Sequence, residues 1–228
     1  MLSDERREAG ELLESAGIEA RLIEPLAAYA ARVLAANRRF NLTGAKSVPE
    51  FVEHVLDSLS VAPYVREPHV DIGSGAGLPG IVVAIAAGVP VTFVESTVKK
   101  ARFIEELLGA FGLAGEVAAA RAEVAAHDER FRERFASGTA RAVSSATTVA
   151  ELLLPFLSVG GVAVMQRGSL DARERAALED ASLMLGGAVE NEIAAGAERR
   201  IVLVRKHAPT PHRFPRRTGI PEKRPLCE

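Results

Sequence analysis

A glycine-rich run, Asp71-Ile-Gly-Ser-Gly-Ala-Gly-Leu-Pro-Gly80, constrains the fold of this chain more than any other segment. It follows a short apolar stretch and precedes a segment with helical spacing. Strand, glycine turn and helix in this order are typical of a nucleotide-binding loop, because glycines let the backbone approach a ligand closely. Glu95 ends the next predicted strand, where an acid can bond a ribose diol. A structural tight turn is the alternative interpretation.

Short apolar segments alternate with helical segments from residue 69 onward. This alternation predicts an α/β fold whose sheet is mostly parallel and carries helices on both faces. The ligand is then expected beyond the carboxyl ends of the strands, where the strand order reverses. Seven strands are predicted, at His69–Ile72, Val89–Val94, Glu116–Ala120, Ala140–Val143, Gly161–Met165, Val189–Ile193 and Ile201–Val204.

Residues 1–65 are predicted to form a small helical extension packed on the sheet, before a sheet domain at 66–207 and a tail at 208–228. Ser47-Val-Pro-Glu50 has the pattern of a capping box at a helix start. His54 and Asp57 are three residues apart on that helix and share one face. They form either a structural pair or a functional one.

Composition places the chain among globular proteins, with 48% hydrophobic and 25% charged residues. Cys227 is the single cysteine, so no intrachain disulfide can form and a reducing cytoplasm is the expected compartment. No signal peptide is recognisable, and the longest apolar stretch is broken by Gly88-Val-Pro90. We therefore expect no membrane association. The five histidines are scattered, so no metal site is predicted.

The net charge of −2 conceals an uneven distribution. Residues 199–225 contain nine basic residues, one acid and five prolines. A basic, proline-rich segment that forms no regular helix can lie along a phosphate backbone. A solubilising tail is the alternative.

Asp71 distinguishes two cofactor classes. An acid directly before the first glycine would repel the pyrophosphate of a dinucleotide, which binds at such helix N-termini. It would suit a ligand with a cationic end, such as the ammonium and sulfonium of S-adenosylmethionine. The loop therefore favours a methyltransferase over a dinucleotide enzyme.

The loop, with Glu95-Ser96 and Lys99-Lys100 behind it, resembles the small-subunit ribosomal RNA (guanine-N7) methyltransferases, the glucose-inhibited division protein B family. The resemblance extends over about residues 37–226. It includes Asn41-Leu-Thr43, His54-Val-Leu-Asp57-Ser58-Leu59, Arg121-Ala-Glu123, Arg141-Ala-Val143, Leu154-Pro155, Gly160-Gly161 and the tail from Phe214 to Leu226. It implies a Rossmann-like class I methyltransferase fold, with S-adenosylmethionine as cofactor.

The resemblance also implies roles for individual residues. Glu95 would bond the ribose hydroxyls, Ala122 and Glu123 would flank the adenine, and Arg141 would lie near the cofactor and the target base. The glycine loop would line the methionine and ribose end. The full set of expected cofactor-binding residues is Asp71, Gly73, Ser74, Gly75, Gly77, Leu78, Glu95, Ser96, Ala122, Glu123 and Arg141.

Methylation of guanine N7 requires no general base, because N7 carries a lone pair and no proton. Catalysis then comes from holding N7 in line with the S–CH₃ bond. Arg141 and Arg167 are the expected positioning residues. The chain departs from the family pattern at Ser144-Ser145 and at Gln166-Arg167-Gly168, and it lacks the Asp that usually precedes Arg141-Ala142.

The implied partner is 16S ribosomal RNA or the 30S subunit, bound by a monomer. A splayed or single-stranded base is what such a protein can reach. The expected RNA-binding residues are Lys99, Lys100, Arg167, Arg213, Arg216, Arg217 and Lys223. Two alternatives stay open: a methyltransferase acting on a protein or small molecule, and a non-catalytic RNA-binding assembly factor.

Overall fold

The computed structural model describes residues 2–141, 145–196 and 199–227. One sheet contains seven strands: β1 (His69–Ile72), β2 (Val91–Val94), β3 (Gly115–Ala118), β4 (Phe135–Arg141), β5 (Leu157–Gly168), β6 (Gly187–Ala194) and β7 (Arg199–Lys206). Their order is β3-β2-β1-β4-β5-β7-β6. β7 is antiparallel to both β5 and β6, and the other neighbours are parallel. The predicted seven-stranded, mostly parallel sheet is confirmed.

Helices cover both faces of this sheet. They are α1 (Leu2–Ser15), α2 (Ala20–Asn37), α3 (Val48–Leu59), α4 (Gly80–Ala87), α5 (Val98–Phe111), α6 (Ala122–Ala125), α7 (Ala146–Leu153), α8 (Ala172–Met184) and α9 (Ile220–Lys223). None of the helices in the described ranges is long and apolar enough to cross a membrane.

Alternation along the strands divides the core into two layers. On β5, Val162 and Val164 pack with α1 to α5, whereas Ala163 and Met165 pack with the layer that contains α7 and α8. Successive side chains of a strand point to opposite faces, which produces this division. The N-terminal helices therefore share one core with α4 and α5.

The strand order reverses between β1 and β4. β1 continues through a connection on one side to β2, while β4 lies on its other side. Parallel sheets of this topology open a crevice beyond the carboxyl ends of those two strands. The glycine loop leaves β1 at this point, and Arg141 ends β4 there.

Two element predictions are corrected. β4 begins at Phe135 and not at Ala140, because its buried face includes Ser137 and Thr139, which interrupt the apolar pattern. The predicted end at Val143 lies outside the described residues, as does Ser144. β5 begins at Leu157, four residues before the predicted Gly161, because the strand follows closely on α7, which ends at Leu153.

Ser47 caps α3 as predicted, since its hydroxyl accepts the N–H of Glu50 at 3.4 Å. The Glu50 carboxylate accepts a hydrogen bond from the backbone N–H of Lys46 and not from that of Ser47. The helix start is therefore fixed by side chains at both ends of the motif.

The basic C-terminal segment is not free. Four of its nine cations, Arg199, Arg200, Arg205 and Lys206, belong to β7. The segment predicted as a tail, of which the structure describes residues 208–227, folds back onto the layer that contains α7 and buries Thr210, Phe214 and Leu226. We call this segment the tail. One helical turn, α9, also forms where no regular helix was expected.

Candidate active site

Two cavities meet at Gly73, at the carboxyl ends of β1 and β4. The larger has a volume of about 620 Å³, and the smaller about 110 Å³. Gly73 contributes to the walls of both. The larger cavity is also lined by Ser74, Gly75, Leu78 and Arg141 from the predicted set. Ser96, Ala122 and Glu123 line the smaller one.

Glycines shape the loop at two positions for different reasons. Gly75 has a φ of +57° and lines the larger cavity, and an added Cβ would meet only the Gly73 carbonyl oxygen, at 3.9 Å. At Gly80, a Cβ would lie 2.4 Å from the Phe93 ring and 2.8 Å from Asp71 Oδ2. Gly75 therefore leaves room for a ligand, whereas Gly80 lets α4 pack against the sheet. Gly77 lines neither cavity.

Asp71 does not face either cavity, which differs from its expected role beside a cationic ligand. Its side chain is fully buried. Oδ1 accepts a hydrogen bond from Thr139 Oγ1 at 2.7 Å, and Oδ2 accepts the Gly80 N–H at 3.3 Å. Burial raises the pKa of Asp71 to about 7, against the opposing effect of these hydrogen bonds. Asp71 therefore fixes the loop to β4. Its charge does not support S-adenosylmethionine over a dinucleotide as the cofactor.

Buried side chains on β1 and β4 form a continuous series of hydrogen bonds that ends at Asp71. The ring of His69 hydrogen bonds to Ser137 Oγ at 2.8 Å and to Thr139 Oγ1 at 3.1 Å. Burial lowers the pKa of His69 to about 3, so the ring is neutral. The alternating Ser137 and Thr139 of β4 are the sequence signal from which this chain of hydrogen bonds could have been predicted.

Glu95 is anchored to the glycine loop. Its carboxylate accepts the N–H of Gly75 at 2.9 Å and the N–H of Thr97 at 2.7 Å. Glu95 is 5% exposed. A carboxylate has about four acceptor positions, so two remain after these bonds. Its expected contact with a ribose stays a prediction.

Arg141 is held at the mouth of the larger cavity by α3. Its Nη2 donates to His54 Nδ1 at 2.7 Å, and its Nη1 donates to the His54 carbonyl at 3.1 Å and to Ser58 Oγ at 3.2 Å. Asp57 Oδ2 lies 3.7 Å from Arg141 Nε. Burial, with the neighbouring Arg141 charge, lowers the pKa of His54, which keeps Nδ1 free to accept. His54 and Asp57 therefore fix this guanidinium and also line the cavity.

The opposite rim of the larger cavity comes from the end of β5 and the start of β7. Arg167 and Arg199 both line it, so three arginines surround one opening. Gln166 donates from Nε2 to the Asp57 carbonyl at 2.6 Å, which ties β5 to α3. The buried atoms Gln166 Oε1 and Asp57 Oδ2 accept no hydrogen bond from any described residue. Both residues belong to the cavity wall.

Sequence patterns did not indicate Arg199, Gln166 or Thr43 as site residues, although all three line the larger cavity. In the sequence, Arg199 is one cation among many in a basic segment, and Thr43 belongs to a motif without an assigned role. Antiparallel pairing of β7 with β5 places Arg199 opposite Gly168, and no local pattern in the sequence encodes that register.

The predicted RNA-binding residues lie at separate places. Lys99 lines a cleft of about 420 Å³ between the N-terminal helices and α5. Arg213, Arg217 and Lys223 are exposed on the tail. Arg216 is different, because its guanidinium forms a two-pronged ion pair with the fully buried Glu151. This geometry favours a structural role for Arg216 over the expected contact with RNA.

Solved structures with a similar fold include complexes with S-adenosylmethionine and with SAH. An O-methyltransferase from Bacillus cereus in complex with SAH superposes with a TM-score of 0.58, at 17% identity, covering 90% of this chain and 100% of that chain. A point mutant of MtNAS in complex with S-adenosylmethionine has a TM-score of 0.53, at 18% identity, covering 91% and 78% of the two chains. At these identities the likeness is one of fold.

Sequence comparison is more specific. Residues 22–203 match the family model GidB, described as rRNA small subunit methyltransferase G. The protein named ribosomal RNA small subunit methyltransferase G from Synechococcus elongatus is 40% identical over 85% of this chain and 86% of its own length. The protein of the same name from Rubrobacter xylanophilus is 38% identical over 86% and 81%. The chain belongs to the rRNA small subunit methyltransferase G family.

Proposed function

We propose that this chain transfers a methyl group from S-adenosylmethionine to N7 of a guanine in 16S ribosomal RNA, acting on the RNA or on the 30S subunit in the cytoplasm. The observation that carries the proposal is that Arg141 and the glycine loop line one and the same cavity, of about 620 Å³. Family membership and the names of the relatives support the RNA substrate.

The residues present fit the cofactor. Gly73 separates a small cavity with Ala122 and Glu123 in its wall from a large one with Arg141 in its wall. An elongated ligand can therefore place its adenine in the small cavity and its methionine end in the large one, with its ribose near Glu95. Two neighbours of similar fold, the MtNAS mutant and the Bacillus cereus enzyme, are complexes with S-adenosylmethionine and SAH.

The chemistry follows from positioning. S-adenosylmethionine supplies an electrophilic methyl group, and guanine N7 supplies the lone pair that accepts it. The chain contributes no proton transfer. Its task is to hold the base at near-attack distance, which alone can account for several orders of magnitude in rate. Arg141 is suited to this because three hydrogen bonds to α3 fix its guanidinium.

Gln166 Oε1, a buried acceptor that has no hydrogen bond from the described residues, supports a guanine in the same cavity, whereas Asp57 Oδ2 already lies beside the Arg141 guanidinium. Guanine carries N–H donors at N1 and N2, on the edge opposite N7. An acceptor that is buried without a partner costs free energy, so a ligand with N–H donors gains by satisfying it. Arg167 and Arg199 at the rim supply cations for the flanking phosphates.

The RNA strand would continue over a second surface, the cleft that contains Lys99, which we call the basic cleft. Arg32, Arg39, Lys99 and Arg102 line it, with Glu106 as the one acid in its wall. Within the described residues, none of these four cations forms an ion pair with an acid. Phe40 lines the basic cleft and Leu42 lines the larger cavity, and two residues of chain span at most about 7 Å, so the two openings have neighbouring wall residues. Phosphates leaving the active site would meet these cations next.

The test is transfer of a labelled methyl group. The purified chain is incubated with tritiated S-adenosylmethionine and either 16S RNA or 30S subunits from a strain that lacks the modification. We expect label in the RNA fraction and none in ribosomal protein. Label in protein would favour the alternative substrate class, and tight RNA binding without label would favour a non-catalytic assembly factor.

A further inference from the structure

We infer that the tail is part of the cofactor site, where it forms the outer wall of the small cavity and holds the adenine end of the cofactor. Pro221 and Glu222, from the single turn α9, line this cavity together with Ser96 and Ala122. The inference rests on the proposed function for the identity of the cofactor. Pro221 lies 99 residues after Ala122 in the chain, and no cofactor-binding motif implies the contribution of the tail.

The tail is fastened directly to the cavity wall. Glu123 Oε1 accepts the backbone N–H of Gly219 at 2.8 Å, and Thr148 Oγ1 donates to the Pro221 carbonyl at 2.9 Å. Glu123 and Thr148 are themselves lining residues of the small cavity. The Glu123 carboxylate, expected to flank the adenine, therefore acts at least in part by fixing the tail.

A buried ion pair fixes the tail just before α9. Glu151 on α7 is fully buried, and its carboxylate accepts from Arg216 Nε at 2.9 Å, from Arg216 Nη2 at 2.6 Å and from the Arg216 backbone N–H at 2.8 Å. Arg216 Nη2 also donates to the Arg224 carbonyl at 2.8 Å, so this hydrogen bond joins the residues on the two sides of α9. A buried carboxylate requires such a partner, so loss of the guanidinium would release this segment.

Further contacts fix the start of the tail. Arg132 Nη1 donates to the Phe214 carbonyl at 3.0 Å, and His127 Nε2 donates to the Pro215 carbonyl at 2.9 Å. The Phe214 side chain is buried in the layer that contains α7. The tail is thus held at its start, at Arg216 and at α9. With three points of attachment, the tail is a fixed part of the wall of the small cavity.

Calorimetric titration with S-adenosylmethionine, in the absence of RNA, tests this role. We expect Arg216→Ala to raise the Kd by about tenfold, which corresponds to about 1.4 kcal/mol. Arg224→Ala is the matched control, since that side chain is exposed and forms no ion pair within the described part of the chain. It should bind within about twofold of the unchanged protein. Thermal melting of each variant verifies that it is folded.

A second pair of variants tests the wall without removing a charge. Thr148→Val deletes the hydroxyl that holds Pro221, and Thr148→Ser retains it. We expect the valine variant to bind S-adenosylmethionine more weakly and the serine variant to restore binding. Because the wall faces the adenine end, 5′-methylthioadenosine, which lacks the amino-acid part of the cofactor, should lose affinity by the same factor.

The inference is overturned if Arg216→Ala and Thr148→Val melt cooperatively and both bind S-adenosylmethionine as the unchanged protein does. It is also overturned if S-adenosylmethionine binding weakens while 5′-methylthioadenosine binding does not. If the unchanged protein itself binds neither molecule, the proposed cofactor is wrong, and that failure is distinct from a failure of the tail to contribute.

Discussion

The two cavities that meet at Gly73 differ in how they are built. The larger is lined by the cations Arg141, Arg167 and Arg199, whereas the smaller is lined in part by Pro221 and Glu222 of the tail. The larger suits a polyanion whose base must enter and leave. The smaller suits one end of a cofactor that is held through the reaction. We propose that the substrate is recognised in the larger cavity and that one end of the cofactor is held in the smaller one.

Gly75→Val should have the largest effect, because it acts on the loop that both cavities share. Valine is strained at a φ of +57°, and its side chain would enter the larger cavity. We expect S-adenosylmethionine affinity to fall by more than about 100-fold, or about 2.7 kcal/mol, by calorimetry.

Gly88→Val is the control for backbone strain. Gly88 has a φ of +68° at the end of α4 and lines neither cavity. This variant should lose stability and still bind the cofactor. Equal binding by both variants would show that the loop is not where the cofactor lies.

Arg141→Gln should separate the two cavities. We expect the rate of methyl transfer at saturating cofactor to fall by about 100-fold, since a misplaced base loses near-attack geometry. The Kd for S-adenosylmethionine should change by less than about threefold, a smaller effect of about 0.7 kcal/mol. Single-turnover transfer of label to RNA measures the first quantity, and calorimetry the second. If the Kd rises as much as the rate falls, Arg141 acts mainly on the cofactor.

Asp71→Asn tests the buried acid beneath the loop through the pH dependence of stability. The folded pKa of about 7 lies above the value of 3.8 for an unperturbed aspartate. Such a group stabilises the fold below the unfolded pKa, and this contribution is lost as the pH rises through about 7. The asparagine variant should therefore gain stability relative to the unchanged protein between pH 5 and pH 8, by about 2 kcal/mol. Urea unfolding at both pH values measures it, and a constant difference would contradict the raised pKa.

Surface cations should give the smallest effects. Arg217→Ala removes an exposed tail charge, and Arg39→Ala removes one from the basic cleft. For each phosphate that is no longer neutralised, the slope of log K against log salt for single-stranded RNA should flatten by about 0.7. S-adenosylmethionine binding should not change. An unchanged slope for Arg39→Ala would remove the basic cleft from the RNA path.

Local patterns in the sequence predicted the parts of the molecule that depend on local physics. Short apolar segments between turns indicated the seven strands, and the glycine run indicated the loop, because steric limits on φ leave few other uses for so many glycines. The positions of the cavity-lining residues from the loop itself, such as Gly75 and Leu78, follow from that geometry.

Long-range pairing could not be predicted in the same way. His54 and Arg141 are separated by 87 residues, and their hydrogen bond depends on how α3 packs beside β4. The packing of the tail could not be predicted from the sequence for a related reason. Its apolar anchors Phe214 and Leu226 are few and irregularly spaced, so the many arginines and prolines suggested a free segment. Only tertiary packing shows that Arg216 faces Glu151 while Arg217 faces solvent.

The most direct test of the central claim is the chemical identity of the methylated nucleoside. RNA labelled by the purified protein is digested to nucleosides, which are separated and compared with standards. The proposed geometry, in which no residue removes a proton and the base is held only in position, predicts label in 7-methylguanosine, with Arg141→Gln reducing its amount and not its identity. Label at a ring or exocyclic nitrogen that must first lose a proton, or in another nucleoside, would contradict the account.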